Sequence, residues 1–301
     1  MERHECYWFV EDTPFPWESE VIGALAGAAR EQGTDISILC AGGTESFGVE
    51  ATSWASLNAV ERSLLAGTRG ALWHLWGRPP KWWPAVRLRA RTIHSSMDPV
   101  SQWRGHPTSL FRCRAERGEY YIPPAFDYRV PMEEGDGAPD EVKALILACP
   151  RSGSLYPGFR DVVRQLGKSV YSLPFPGVAV PWSIPLASHG EAVRRFDRTG
   201  GVLMIPTVNE SLALLAARAA LSGVPTVAPV SPLLAELLGD DGFLSPADNA
   251  MSGWKDVLAD AFGEAGRGVA ARARRRVRGE YQRERGGEAI GRLYASLLGG
   301  R

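Results

Sequence analysis

Apolar residues along this chain fall into short continuous runs of about five, separated by longer stretches in which they recur every three or four positions. Cys6–Val10 (CYWFV) reads as a buried strand, 18–30 as a helix with Ala and Leu spacing, and Ile36–Cys40, after Gly33, as a second strand. Further strands are expected at 71–75 and 91–94, with a helix at 56–65 before them and an apolar segment at 82–88 between them. The stretch 120–122, stopped by Pro123 and Pro124, ends this series. A second series follows: a strand in KALILAC from Lys143, a helix at 159–166, a strand at 169–173, a helix around 191–196 and a strand at 202–205. Strands alternating with helices of this length build parallel sheets with right-handed crossovers. The expected fold is therefore α/β, with two Rossmann-like open-sheet domains facing a cleft.

Between the two series lies PMEEGDGAPDE, 131–141, whose acidic, Gly- and Pro-rich composition is that of a linker. The expected division is an N-terminal domain at 1–130, a linker at 131–142, a second domain at 143–284 and a C-terminal helix at 285–301 that crosses back to the first domain.

The chemistry concentrates in VNESLALLAARAALSGVPTVA, 208–228. Asn209 and Glu210 precede a small apolar helix, Ser222 and Gly223 stop it, and Val224 to Ala228 reads as a strand. The first amides of such a helix lack intrahelical partners and carry partial positive charge, so they suit a phosphate. Glu210 is badly placed to bind phosphate itself and well placed to accept from sugar hydroxyls beside it. The pairing points to a phosphate and a sugar held together.

PTVNESLALLAARAALSGVPTVA, from Pro206, and PLLAELLGDDGFLSPAD, from Pro232 to Asp248, resemble two ordered motifs of the retaining GT-B glycosyltransferases, the glycogen synthase- and sucrose synthase-like group. The resemblance runs to about Leu298 and pairs with a shortened N-terminal domain. It implies a metal-independent, retaining transferase that moves a sugar from a nucleoside diphosphate donor to a small acceptor, such as a natural-product or sugar-alcohol core. No other cofactor is implied. By the resemblance Glu210 contacts the donor sugar and Arg151, in ACPRSGSLYPGF, the diphosphate; the backbone amides of Ser211 and Leu212, beside Asn209, stabilise the leaving group. His94, which ends the strand in RTIHSSMD, matches a histidine that lies against the transferring sugar. Asp127 matches a structural strand exit before the linker.

Two positions depart from the family pattern. Tyr156 stands where the family has lysine, and Arg218 replaces a second glutamate eight positions after the first. Arg218 reads as a compensating phosphate cation, as a sign of a donor lacking the ribose 2′-hydroxyl, or as a solvent-facing residue in a protein that has lost donor binding. Glycines expected after the first strand are also missing. Trp17 and Glu18 occupy that place and read either as an acceptor contact or, for Trp17 with Phe15, as a helix-start staple. His74 and Trp76 in GALWHLWG are further acceptor candidates at a strand end, against the plainer reading of a satisfied structural histidine. Trp73, Trp82 and Trp83 read as acceptor wall or core.

With 34 basic and 34 acidic residues among 301, the formal net charge is zero, which argues against a nucleic-acid partner. The eight arginines between Arg267 and Arg285 read as a self-paired surface helix over 272–285. No uncharged apolar run reaches the ~18 residues of a membrane span, and a cytoplasmic location is expected. Cys6, Cys40, Cys113 and Cys149 lie far apart and read as thiols, and the five histidines show no metal spacing, so no metal site is expected. Homo-oligomer formation is left open. GxSxG, GxGxxG, P-loop and HExxH motifs are absent from the sequence. The rival functions are a catalytically silent partner or binding subunit and a nucleotide-sugar epimerase.

Overall fold

The computed structural model describes residues 6–10, 15–41, 47–68, 71–77, 80–83, 86, 91–95, 106–115, 120–126, 144–149, 158–175, 178–199, 201–247 and 251–298. The chain divides into two compact units, Met1–Asp127 with Tyr281–Arg301, and Tyr128–Glu280.

The first unit runs β1 (Cys6–Val10), α1 (Pro16–Glu31), β2 (Ile36–Cys40), β3 (Ala51–Ser53), α2 (Ala59–Gly67), β4 (Leu72–Trp76), β5 (Arg91–Ser95), β6 (His106–Ser109), α3 (Arg112–Ala115) and β7 (Tyr120–Tyr121). Its seven strands lie in the order β3-β2-β1-β4-β5-β6-β7, every neighbouring pair parallel. All five residues of β1 and of β4 are buried, as a central parallel strand covered on both faces demands. On one face Tyr7, Phe9, Trp73 and Leu75 form an aromatic core with Trp83. The order reverses between β1 and β4, so the first unit has its switch point there.

The second unit runs β8 (Leu145–Leu147), α4 (Phe159–Gln165), β9 (Val170–Ser172), β10 (Ile184–Pro185), α5 (His189–Thr199), β11 (Val202–Met204), α6 (Glu210–Leu221), β12 (Thr226–Val227), α7 (Pro232–Leu238), α8 (Met251–Ala261) and α9 (Glu264–Glu280). Its sheet is parallel, in the order β10-β9-β8-β11-β12, with the reversal between β8 and β11. Phe159 and Trp254, both fully buried with ring centroids 5.1 Å apart, anchor the core under β8 and β11. Every residue of α6 is buried, because its run of alanines lets it lie close to α7 and α9. Gly223 ends α6 at φ 74°, its amide bonding Ala220 O while that of Val224 bonds Ala219 O. This Schellman geometry requires a left-handed residue, which glycine adopts without a Cβ penalty.

The arginine-rich stretch is not one helix over 272–285. Helix α9 stops at Glu280, and α10 (Arg283–Leu298) begins after buried Tyr281 and exposed Gln282. Arg276 does pair with Glu280 at 3.1 Å and Arg272 with Asp241 at 2.9 Å, whereas Arg283 turns inward to Glu31 at 2.7 Å. Helix α10 belongs to the first unit and packs along α1. Gly286 and Gly287 make that approach possible: a Cβ on Gly287 would sit 2.8 Å from Ala28 Cβ and 2.9 Å from its carbonyl carbon.

Gly287→Ala is accordingly expected to destabilise the protein by about 1–3 kcal/mol. Gly279→Ala, at a helical position where an added Cβ meets nothing within 4 Å, is expected to leave stability unchanged or raise it by up to about 1 kcal/mol. Urea unfolding of the two variants side by side checks the pair.

Candidate functional site

In an open parallel sheet, ligands bind outside the carboxyl ends of the strands at the point where strand order reverses. In the second unit that point is the end of β11, and α6 begins six residues after Met204. Asn209 caps this helix: its Oδ1 accepts from the Leu212 amide at 2.8 Å. Leu212 was an expected phosphate donor, and its amide is instead taken by the side chain three residues before it. Glu210 and Ser211 follow the cap, 4 % and 7 % exposed. A carboxylate therefore lies buried at the positive end of a 12-residue helix, where the helix field favours negative charge.

Arg218 does not face solvent, which corrects one of its three readings. It is buried, and its Nη1 donates to Ser222 Oγ at 2.6 Å at the carboxyl end of α6, where a cation complements the helix field. The placement holds the guanidinium toward the end of α6 opposite Glu210. Arg151, Tyr156 and Asp127 lie outside the described residues.

In the first unit the four acceptor candidates are all buried. Trp17 is fully buried and stacks on Phe15, ring centroids 4.9 Å apart, at the start of α1. Glu18 turns back so that its Oε2 accepts from the Phe15 amide at 2.9 Å, which satisfies a helix-start donor. Trp76 stacks on the His74 ring at 4.4 Å. His74 is not at a strand end but in the middle of β4, because the strand runs one residue further than the sequence suggests. Its two ring nitrogens bond Tyr294 Oη at 2.8 Å and Ser95 Oγ at 2.7 Å. Burial holds its pKa well below the ordinary histidine value, and nearby His94 pushes the same way. All four side chains are thus buried and engaged by neighbouring groups of the first unit. Trp73 and Trp83 are core as well, while Trp82 and Trp54 stack at 4.6 Å, partly exposed, over Phe9.

His94 is different. It is the fourth of five residues in β5, on the side of the switch point away from β1, and its Nε2 donates to the Gly77 carbonyl at 2.7 Å. Gly77, immediately after β4, has φ 99° and donates its own amide to Ser95 O at 3.0 Å. A neutral imidazole carries one ring proton, so a donating Nε2 leaves Nδ1 as a lone-pair acceptor. Burial lowers the His94 pKa, and the Gly77 bond partly opposes that. The site thus presents an uncharged acceptor at a strand end.

Sequence reasoning overlooked Tyr294 and Thr108 as partners of these histidines. One signal was present: a single polar residue inside the wholly buried run LWHLW must be hydrogen-bonded somewhere.

No family model and no curated protein matches the sequence. Solved structures do match in fold over essentially whole chains. A glycosyltransferase from Rickettsia africae ESF-5 superposes with TM-score 0.65 at 9% identity, covering 100% of both chains. The fold is that of the GT-B glycosyltransferases. A putative UDP-N-acetylglucosamine 2-epimerase from Listeria monocytogenes shares this GT-B architecture at TM-score 0.60 and 10% identity, over 99% of this chain and 97% of that one. AviGT4, a glycosyltransferase involved in avilamycin A biosynthesis, does so at 0.56 and 15%, over 98% of each.

Both histidines have folded-state pKa values below their unfolded value of 6.5. Below about pH 6.5 the unfolded chain then binds more protons than the folded one, so their contribution is intact above that pH and declines as pH falls. The unfolding free energy is expected to drop between pH 7 and pH 5, by at most about 1.4 kcal/mol per pH unit for each histidine. His94→Gln, which keeps a donor toward Gly77 and cannot ionise, flattens part of the slope in urea titrations run across that range.

Proposed function

We propose that this chain is a retaining, metal-independent glycosyltransferase that moves a hexosyl group from a nucleoside diphosphate donor to a small acceptor hydroxyl. The observation that carries the reading is the buried Glu210 carboxylate at the start of the helix that follows the switch-point strand β11. A diphosphate suits the positive end of α6, and Glu210 accepts hydrogen bonds from the hydroxyls of the attached sugar. Arg151 adds a full positive charge to the departing diphosphate. His94, neutral and accepting through Nδ1, takes a hydrogen bond from a hydroxyl of the transferring sugar.

In the reaction the bond from the anomeric carbon to the diphosphate oxygen breaks, and its electron pair leaves with the diphosphate. The acceptor oxygen bonds to the same face of the anomeric carbon, and its proton passes to the departing phosphate. Negative charge grows on the leaving oxygen throughout, so fixed positive partial charge is the main catalytic resource. The first unit binds the acceptor, which the fold likeness to AviGT4 makes consistent with a natural-product core.

A second reading is a nucleotide-sugar epimerase, favoured by the fold likeness to the putative 2-epimerase. It needs no acceptor.

Isothermal titration against UDP, GDP, ADP and dTDP, and against their hexose conjugates, tests the proposal. One conjugate is expected to bind, with Glu210→Ala weakening it at least ~10-fold, about 1.4 kcal/mol, while binding of the bare nucleotide changes by less than about threefold. Binding of none of these ligands overturns the transferase and epimerase readings together and leaves a catalytically silent GT-B protein. Conversion of the donor alone into its epimer selects the second reading. With an acceptor, NMR of the product is expected to show the donor's anomeric configuration, and inversion refutes retention.

A further inference from the structure

Among the buried polar groups of the first unit, five residues on four elements form one continuous chain. Tyr294, on α10, meets His74 Nδ1 at 2.8 Å, and His74 Nε2 meets Ser95 Oγ at 2.7 Å. Ser95 Oγ bonds Thr108 Oγ1, and Thr108 Oγ1 donates to the His94 backbone carbonyl at 3.3 Å. His74, Ser95, Thr108 and Tyr294 are all at most 3 % exposed. The neighbouring strands bring them into register: Trp76 faces Ser95 across β4 and β5, and Ser95 faces Thr108 across β5 and β6.

The direction of every bond follows from the last one. A carbonyl can only accept, so the one hydroxyl proton of Thr108 is committed to His94 O. Ser95 must then donate to Thr108, and its oxygen accepts from His74. His74 therefore carries its proton on Nε2 and accepts at Nδ1 from the Tyr294 hydroxyl. Each of the three inner members, His74, Ser95 and Thr108, uses one donor and one acceptor, and in a low-dielectric interior such a head-to-tail chain strengthens each of its bonds. Both histidines are then the same tautomer, for separate reasons: His74 because of this chain and His94 because of Gly77.

We infer that Tyr294, His74, Ser95 and Thr108 are positioning residues for His94: a directed hydrogen-bond relay runs from the C-terminal helix through three strands and fixes the backbone on which the His94 ring is mounted. Their assignment to catalysis rests on the proposed role of His94, whereas the relay itself stands on geometry alone. The consequence for function is that a residue 200 positions from His94 in the sequence sets how well the ring meets its ligand. A displacement of a fraction of an ångström matters there, since misplacing a reacting group by 1 Å can cost roughly 100-fold in rate.

The test is two-bond proton–nitrogen correlation NMR on ring-labelled full-length protein at pH 7, with histidines assigned by substitution. Wild-type protein is expected to show His74 and His94 both as neutral Nε2–H tautomers. Ser95→Ala and Tyr294→Phe are expected to shift the His94 ring resonances, and Ser95→Thr, which keeps the hydroxyl, to restore them. Where a nucleoside diphosphate sugar is turned over, Ser95→Ala and Tyr294→Phe lower kcat at least ~10-fold with KM within about twofold. A Nδ1–H tautomer at His74 overturns the relay, as do His94 resonances that ignore both substitutions. Should the variants fail to fold, the wild-type tautomers still decide the direction of the chain. Absence of any turnover alongside the expected spectra counts against the proposed function and leaves the relay standing.

Discussion

Parallel pairing with both faces covered is the constraint from which the rest follows. A strand such as β4, buried along its whole length, leaves no exposed flank on which a ligand could sit, so polar chemistry collects at strand ends or is sealed into closed networks. Both outcomes occur among the described residues. Glu210 lies just past the end of β11 and His94 near the end of β5, while His74, in the middle of β4, has both ring nitrogens engaged by other side chains. Two histidines in adjacent strands are thus held differently: both ring nitrogens of His74 meet side chains, whereas Nε2 of His94 meets a backbone carbonyl.

The two units share this logic and differ in how it is carried out. In the first, aromatic side chains do most of the packing: Tyr7, Phe9 and Trp73 cover one face, and Trp8 and Trp76 flank His74 on the other. In the second, small residues dominate around α6, whose alanines let three helices approach closely, while the Phe159–Trp254 pair anchors the core under the sheet. Arg218, inside the apolar run of α6, is accommodated by turning its guanidinium to Ser222 at the helix end.

Much of the fold was legible because the central strands are wholly apolar. Cys6–Val10 and Ile36–Cys40 read correctly to the residue, and the alternation of strands and helices carried the α/β class. Elements were missed where burial is partial or length minimal: β3 and β10 have three and two residues and no fully buried position. The helix at Met251–Ala261 has serine and glycine as its second and third residues, which locally resemble a turn. At the site, sequence identified the residues at the α6 start but not that Asn209 would claim the Leu212 amide, because capping depends on a backbone angle that no spacing rule fixes. The burial of Trp17 and Glu18 has the same origin, a local choice between facing a ligand and closing a helix start. The partnership of His74 with Tyr294 spans 220 positions and has no local signature at either end.

Helix α10 has one consequence for how the molecule comes into being. Its glycines lie against Leu25 and Ala28 of α1, and its tyrosine completes the polar chain beneath β4, so the first unit cannot finish its interior until residues beyond 280 have been synthesised. At about 5–20 residues per second, the emerging sheet waits roughly 9 to 35 seconds with one flank uncovered. The second unit, continuous in sequence, faces no such delay and is free to mature first, although it is translated later. Order of synthesis therefore does not dictate order of completion in this chain.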